Sequence, residues 1–228
     1  NIRWAWVKFS SAFIGSAKSP IDWLLNEIPK TLKRLITPII IITLTLLVAT
    51  IIGATQASRF AIPIEVLNLD NLGEGFFEGL DEMRFFSIGS IWTIWIHNLR
   101  VIALATLLGL FSFGVLGLVV LMAPMMIIGY FAATVASAGI SPLLFFTAFV
   151  LPHGVLEISA IILAGAAILR MGATLAAPSH RKTIGEAWLH TLADWSRVMV
   201  ALVLPLLLAA AALEVFITPR VAIIIFGN

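Results

Sequence analysis

The sequence predicts an all-α, polytopic transmembrane helical bundle of about five spans, and three observations predict it. Apolar residues make up 61% of the 228 and charged residues only 11%, where a soluble domain carries roughly 25% charged. A mean hydropathy of +1.07 leaves too little polar surface to cover a water-exposed globule, so lipid is the solvent for much of the chain. Finally, runs such as Ile39-Ile40-Ile41-Ile42 lack the alternation of a membrane barrel strand. Helices that satisfy their own backbone remain.

Residues 1–35 read as a basic amphipathic interfacial segment, and 36–228 as the transmembrane domain. Ser19-Pro20-Ile21-Asp22 is a helix start, with Ser19 as N-cap, Pro20 at the first position and Asp22 closing a capping box. Ile21, Leu24, Leu25, Ile28, Leu32 and Leu35 then recur at helical spacing, with Lys30, Lys33 and Arg34 near the end. That pattern suits a helix lying in the membrane interface, or an ordinary packed amphipathic helix. The segment is basic and Trp-rich and precedes the first apolar run by about thirty residues, which is not the layout of a secretory signal peptide.

The first span is 36–55, uncharged and close to the ~20 residues that cross the hydrocarbon. Residues 56–86 form an acidic loop, with Glu65, Asp70, Glu74, Glu78, Asp81 and Glu82 against Arg59 and Arg84. Its contrast with the basic N-terminus puts the N-terminus in the cytoplasm and the loop outside. Residues 87–138 hold two spans, with Gly114 and Gly117 expected at the turn between them. Gly109, Gly129 and the small residues from Ala132 to Ala138 permit close helix approach. From Ser141 to Leu175 the apolar run is too long for one straight span, and Pro152 divides it: a short interfacial or re-entrant helix over 142–151, then a fourth span over 153–175. Arg170 is expected to snorkel at the inner end. Residues 177–197 read as a polar connection in which Thr183-Ile184-Gly185-Glu186 is a second capping box, and the fifth span is 198–217.

Charges within spans are costly, so the few present deserve a reason. Asn98, Arg100, His153, Glu157 and Glu214 form the candidate buried polar cluster, beside the helix break at Pro152. His153 and Glu157 stand four apart, on one helix face. They could be a proton relay, half of a metal site, or a hydrogen-bonded pair fixing the helix start. A zinc site needs at least a third protein ligand, for which only Glu214 or Asn98 is at hand, and no metal is expected. Arg100 is expected to pair with Glu157 or Glu214.

With no cysteine, disulfides and cysteine-ligated metals are excluded. No P-loop, dinucleotide fingerprint or zinc-protease motif is present, and no catalytic residue or cofactor is expected. No nucleic-acid partner is expected either, because the basic residues flank spans and the seven Trp suit interfacial anchoring.

Three segments carry a family resemblance. The run Leu151-Pro152-His153-Gly154-Val155-Leu156-Glu157 continuing to Ala167, the run Ala211 to Pro219 around Glu214, and His97-Asn98-Leu99-Arg100-Val101 followed by Gly109 and Gly114 resemble the stage II sporulation protein M family. Ala123-Pro124-Met125-Met126 departs from it, standing where the family usually shows Asn-Gly. The resemblance implies a multi-pass protein of a bacterial or archaeal cytoplasmic membrane. It also implies a scaffold-like role: the sporulation member joins a complex of peptidoglycan-degrading proteins. The expected function is thus a non-enzymatic scaffold or complex subunit in the lipid bilayer, assembling as a homo-oligomer or with membrane-protein partners. A transporter or permease-like component and an intramembrane hydrolase are the alternatives.

Overall fold

A computed structural model describes residues 2–59, 87–177 and 183–226. The acidic loop expected over 56–86 therefore lies almost wholly outside the described residues. Among those described, the secondary structure is helical throughout, and five helices are long and apolar enough to cross a membrane. In chain order the helices are α1 (Ile2–Ile14), α2 (Pro20–Gln56), α3 (Ile88–Phe111), α4 (Val115–Ser137), α5 (Pro142–Phe149), α6 (Leu151–Ala176), α7 (Ile184–Val198), α8 (Leu204–Phe216) and α9 (Thr218–Phe226).

The N-caps act as read. The Ser19 hydroxyl accepts the Asp22 amide at 3.1 Å, while the Asp22 carboxylate accepts the Lys18 amide at 2.7 Å and not the Ser19 amide that a capping box would use. Thr183 caps α7 by accepting the Glu186 amide at 3.3 Å. Thr183→Ala should cost about 1 kcal/mol of stability, checked by thermal unfolding of the purified protein in detergent.

Four features differ from expectation. The helix that begins at Pro20 does not end before the first span: α2 is continuous across residue 35. Residues 184–197, read as part of a connection, are the helix α7, which a π-helical turn (Met199–Val203) joins to α8. Gly117 lies inside α4 and not in the α3–α4 turn, which is made by Phe113 (φ 53°) and Gly114 (φ 98°). The break before the fourth span falls at Val150, two residues ahead of Pro152, because a proline is at home in a helix's first turn.

Prolines set the irregularities. A second π-helical turn, Trp23–Glu27, lies inside α2, and each of the two π turns is followed two residues later by a proline, Pro29 and Pro205. A proline ring clashes with the carbonyl four residues back, and the wider π turn moves that carbonyl away. Pro38, inside α2, has no N–H for the Arg34 carbonyl, and Arg170 Nη1 donates to that oxygen instead.

Along α2 the buried stripe is Thr31, Leu35, Ile42, Leu46 and Ala49, while Ile36, Ile40, Leu44, Leu47 and Ile51 are exposed. Both stripes keep helical spacing, yet the outer one is the bulkier and fully apolar: that is the signature of a lipid-facing surface. Hydroxyls in the span are quenched locally, Thr43 donating to the Ile39 carbonyl and Thr45 to that of Ile41, each at 2.8 Å.

Contacts divide the chain into two compact units. The first comprises Asn1–Thr45, Arg100–Leu121 and Ser159–Pro205. Its core holds Leu35, Ile42, Ile102, Leu121, Ile168 and Val198, and α1 packs along α7. A Cβ on Gly172 would fall on the Phe113 carbonyl. Gly172→Ala is therefore expected to destabilise by about 1–3 kcal/mol, read as a lower midpoint in the same unfolding assay. The second unit comprises Leu46–Leu99, Met122–Ile158 and Leu206–Asn228. Its core holds Ala49, Val135, Leu207, Ala210 and Val215. There α9 packs on α5, with Phe226 stacked on Phe149 at 5.7 Å.

Candidate functional site

Each unit concentrates charge in one place. In the first, the centre is Arg197 on α7, whose side chain is only 3% exposed. A guanidinium has five N–H donors, and here four hydrogen bonds and one ion pair meet it. Nε donates to the Phe13 carbonyl (2.9 Å) and Nη2 to the Ala12 carbonyl, and Nη2 also forms an ion pair with Glu27 Oε2 at 3.3 Å. Nη1 donates to Thr31 Oγ1 (3.2 Å) and Asp194 Oδ1 (3.3 Å). Ala12 and Phe13 belong to the last turn of α1, where carbonyls have no helical partner and the helix dipole favours a cation.

The two carboxylates have further partners. Asp194 accepts from Arg34 Nη1 at 3.0 Å and lies 3.8 Å from Arg170 Nε. Glu27 accepts from Lys30 at 2.8 Å and from the Ser16 hydroxyl at 2.9 Å. Gly15, at φ 66°, has no room for a Cβ, which would fall on the Glu27 carboxylate. Two clefts adjoin the network, of about 520 Å³ and 420 Å³, and both are lined by Arg34, His190 and Asp194.

Arg170 is thus held by Asp194 and by the carbonyl that Pro38 leaves open, and it does not snorkel. The sequence reading missed this network, although a signal was present. Glu27, Lys30, Thr31 and Arg34 share one face of α2, and Asp194 and Arg197 one face of α7.

The second unit brings together three of the five expected residues. His153 and Glu157 lie one turn apart near the start of α6, and Glu214 lies near the end of α8. Each is half-buried and offers one ligand atom, and these atoms all lie within 4.8 Å of one another. His153 Nδ1 is 3.0 Å from Thr218 Oγ1, and that hydroxyl donates to the Leu213 carbonyl at 3.3 Å. Asn98 is half-buried on α3 in the same unit.

Arg100 departs from expectation. It is exposed and belongs to the first unit, while both glutamates belong to the second, and it enters no ion pair among the described residues. Two residues along a helix turn the side chain by about 200°, so Asn98 and Arg100 cannot share a face. His97, beside Asn98 on α3, is exposed and belongs to the same unit as Glu157.

The family model described as Stage II sporulation protein M matches residues 40–219, well over half of the chain and inclusive of His153, Glu157 and Glu214. No curated protein and no solved structure gives a significant match.

Proposed function

We propose that this chain, which belongs to the stage II sporulation protein M family, works as a non-enzymatic multi-pass membrane scaffold or complex subunit. The observation that carries this reading is the saturation of Arg197. A catalytic or transported-ion site keeps a donor, acceptor or coordination position open. Here every nitrogen of Arg197, the most buried cation among the described residues, is engaged by four hydrogen bonds and the Glu27 ion pair in fastening α1 to α2 and α7. The result is a braced element that presents Ile2, Trp4, Trp6 and Val7 outward. Such an arrangement suits holding a surface in place for a lipid interface or a neighbouring protein.

The basic N-terminal segment and the acidic 56–86 connection support a cytoplasmic N-terminus in a bacterial or archaeal membrane. The test is purification from native membranes after cross-linking, with parallel reconstitution into nanodiscs. Self-association or a membrane protein retained at constant stoichiometry is the expected result. A stable monomer that retains no partner in both preparations would overturn the reading.

A further inference from the structure

We propose that His153, Glu157 and Glu214 form a binding site for one divalent transition-metal ion of the zinc or manganese class, a site that the scaffold reading neither requires nor supplies. Two helices contribute: His153 and Glu157 come from one face of α6, and Glu214 comes from α8. Their ligand atoms already lie within 4.8 Å of one another. Tetrahedral bonds of about 2.0–2.1 Å place ligand atoms about 3.3 Å apart, so side-chain rotation of an ångström or so closes the site.

The histidine is set up for this. A threonine hydroxyl carries one hydrogen, and Thr218 spends it on the Leu213 carbonyl. The 3.0 Å contact between His153 Nδ1 and Thr218 Oγ1 is then one that the imidazole donates in its Nδ1-protonated tautomer. That tautomer leaves Nε2 with a bare lone pair for a metal. A metal-binding histidine is held in the same way, its second nitrogen donating to a fixed acceptor.

Charge favours an ion as well. Glu157 and Glu214 enter no ion pair among the described residues, and both are half-buried. Two ionised carboxylates in such a setting are costly unless neutralised. A divalent cation with two carboxylates and one neutral imidazole sums to zero. The imidazole favours zinc or iron over magnesium and calcium, and the two carboxylates admit manganese as well. Three protein ligands leave one coordination position open.

The experiment uses the full chain purified in detergent, stripped with chelator, exposed to Zn²⁺ or Mn²⁺, freed of excess ion and assayed by elemental analysis. About one ion per chain is expected, with binding lost in Glu214→Gln and His153→Ala but kept in Glu186→Gln, a surface control. Thr218→Val keeps all three ligands and should weaken affinity about 10–100-fold. Protein that retains neither ion overturns the proposal, and so does stoichiometric binding that survives both ligand substitutions. Should those variants fail to fold, Co²⁺ on the wild-type chain decides: ligand-field absorption of a mixed nitrogen and oxygen site supports the proposal, and the spectrum of the aqueous ion refutes it.

Discussion

Arg197→Ala is expected to lower the stability of the protein by about 3–5 kcal/mol, the penalty typical of breaking a buried ion pair from one side. The side chain itself is small in the balance. What matters is what it leaves behind: Glu27 and Asp194, 5% and 4% exposed, each without its buried cation. Lys30 and Arg34 remain beside them but are about half-exposed, so solvent screens what they can restore. The Ala12 and Phe13 carbonyls also lose a donor, which loosens the end of α1. Unfolding in detergent should show the loss, and limited proteolysis should show new cleavage around Gly15–Ser19. A change under about 1 kcal/mol with α1 still protected would refute the bracing role.

Two companion variants separate charge from geometry. Arg197→Lys keeps the charge but has one nitrogen in place of three spread over a planar fork that makes four hydrogen bonds, so it should recover less than half of the loss. Asp194→Asn removes the anion shared by Arg34, Arg170 and Arg197. Combined with Arg197→Ala, its effect should fall well short of additive, because both substitutions dismantle one network.

The spans were legible because lipid imposes a coarse rule, about twenty apolar residues in a row, and α2, α3, α4 and α6 obey it. The start of α7 was legible at Thr183, yet the helix was not, because its charges suggested water. Those charges turn inward. Ala187, Thr191, Asp194 and Val198 recur at helical spacing and are buried. The polar members find their partners far along the chain, as where Thr31 meets Asp194 across 163 positions. Such a pairing cannot be read from one segment. His153 and Glu157 were readable together because a local spacing of four fixes their shared face, whereas Arg100 was grouped with Glu157 and Glu214 because a charge in a span is costly, and that cost does not fix which way its side chain faces. Arg170 shows a third limit: its acceptor exists only because Pro38 vacates a carbonyl on another helix.

Glycine substitutions should then behave in opposite ways at two places in the same chain. Within the second unit α2 and α4 approach so closely that a Cβ on Gly129 would fall on the Thr50 carbonyl, and one on Gly53 on the Met126 carbonyl. These obstacles are backbone atoms, which cannot swing aside as a side-chain tip can. In a membrane, where apolar burial between helices gains little over lipid, such close packing is a main source of association. Gly129→Ala is therefore expected to destabilise by about 2–3 kcal/mol, near the upper end for overpacking, even though alanine by itself favours a helix over glycine by about 1 kcal/mol. Gly185, on α7, has open space where a Cβ would stand, so Gly185→Ala should leave stability unchanged or raise it by up to about 1 kcal/mol. The unfolding midpoints of the two variants carry the comparison. If Gly129→Ala shifts the midpoint upward as Gly185→Ala does, helix propensity outweighs packing at that contact, and backbone approach is not what holds α2 against α4.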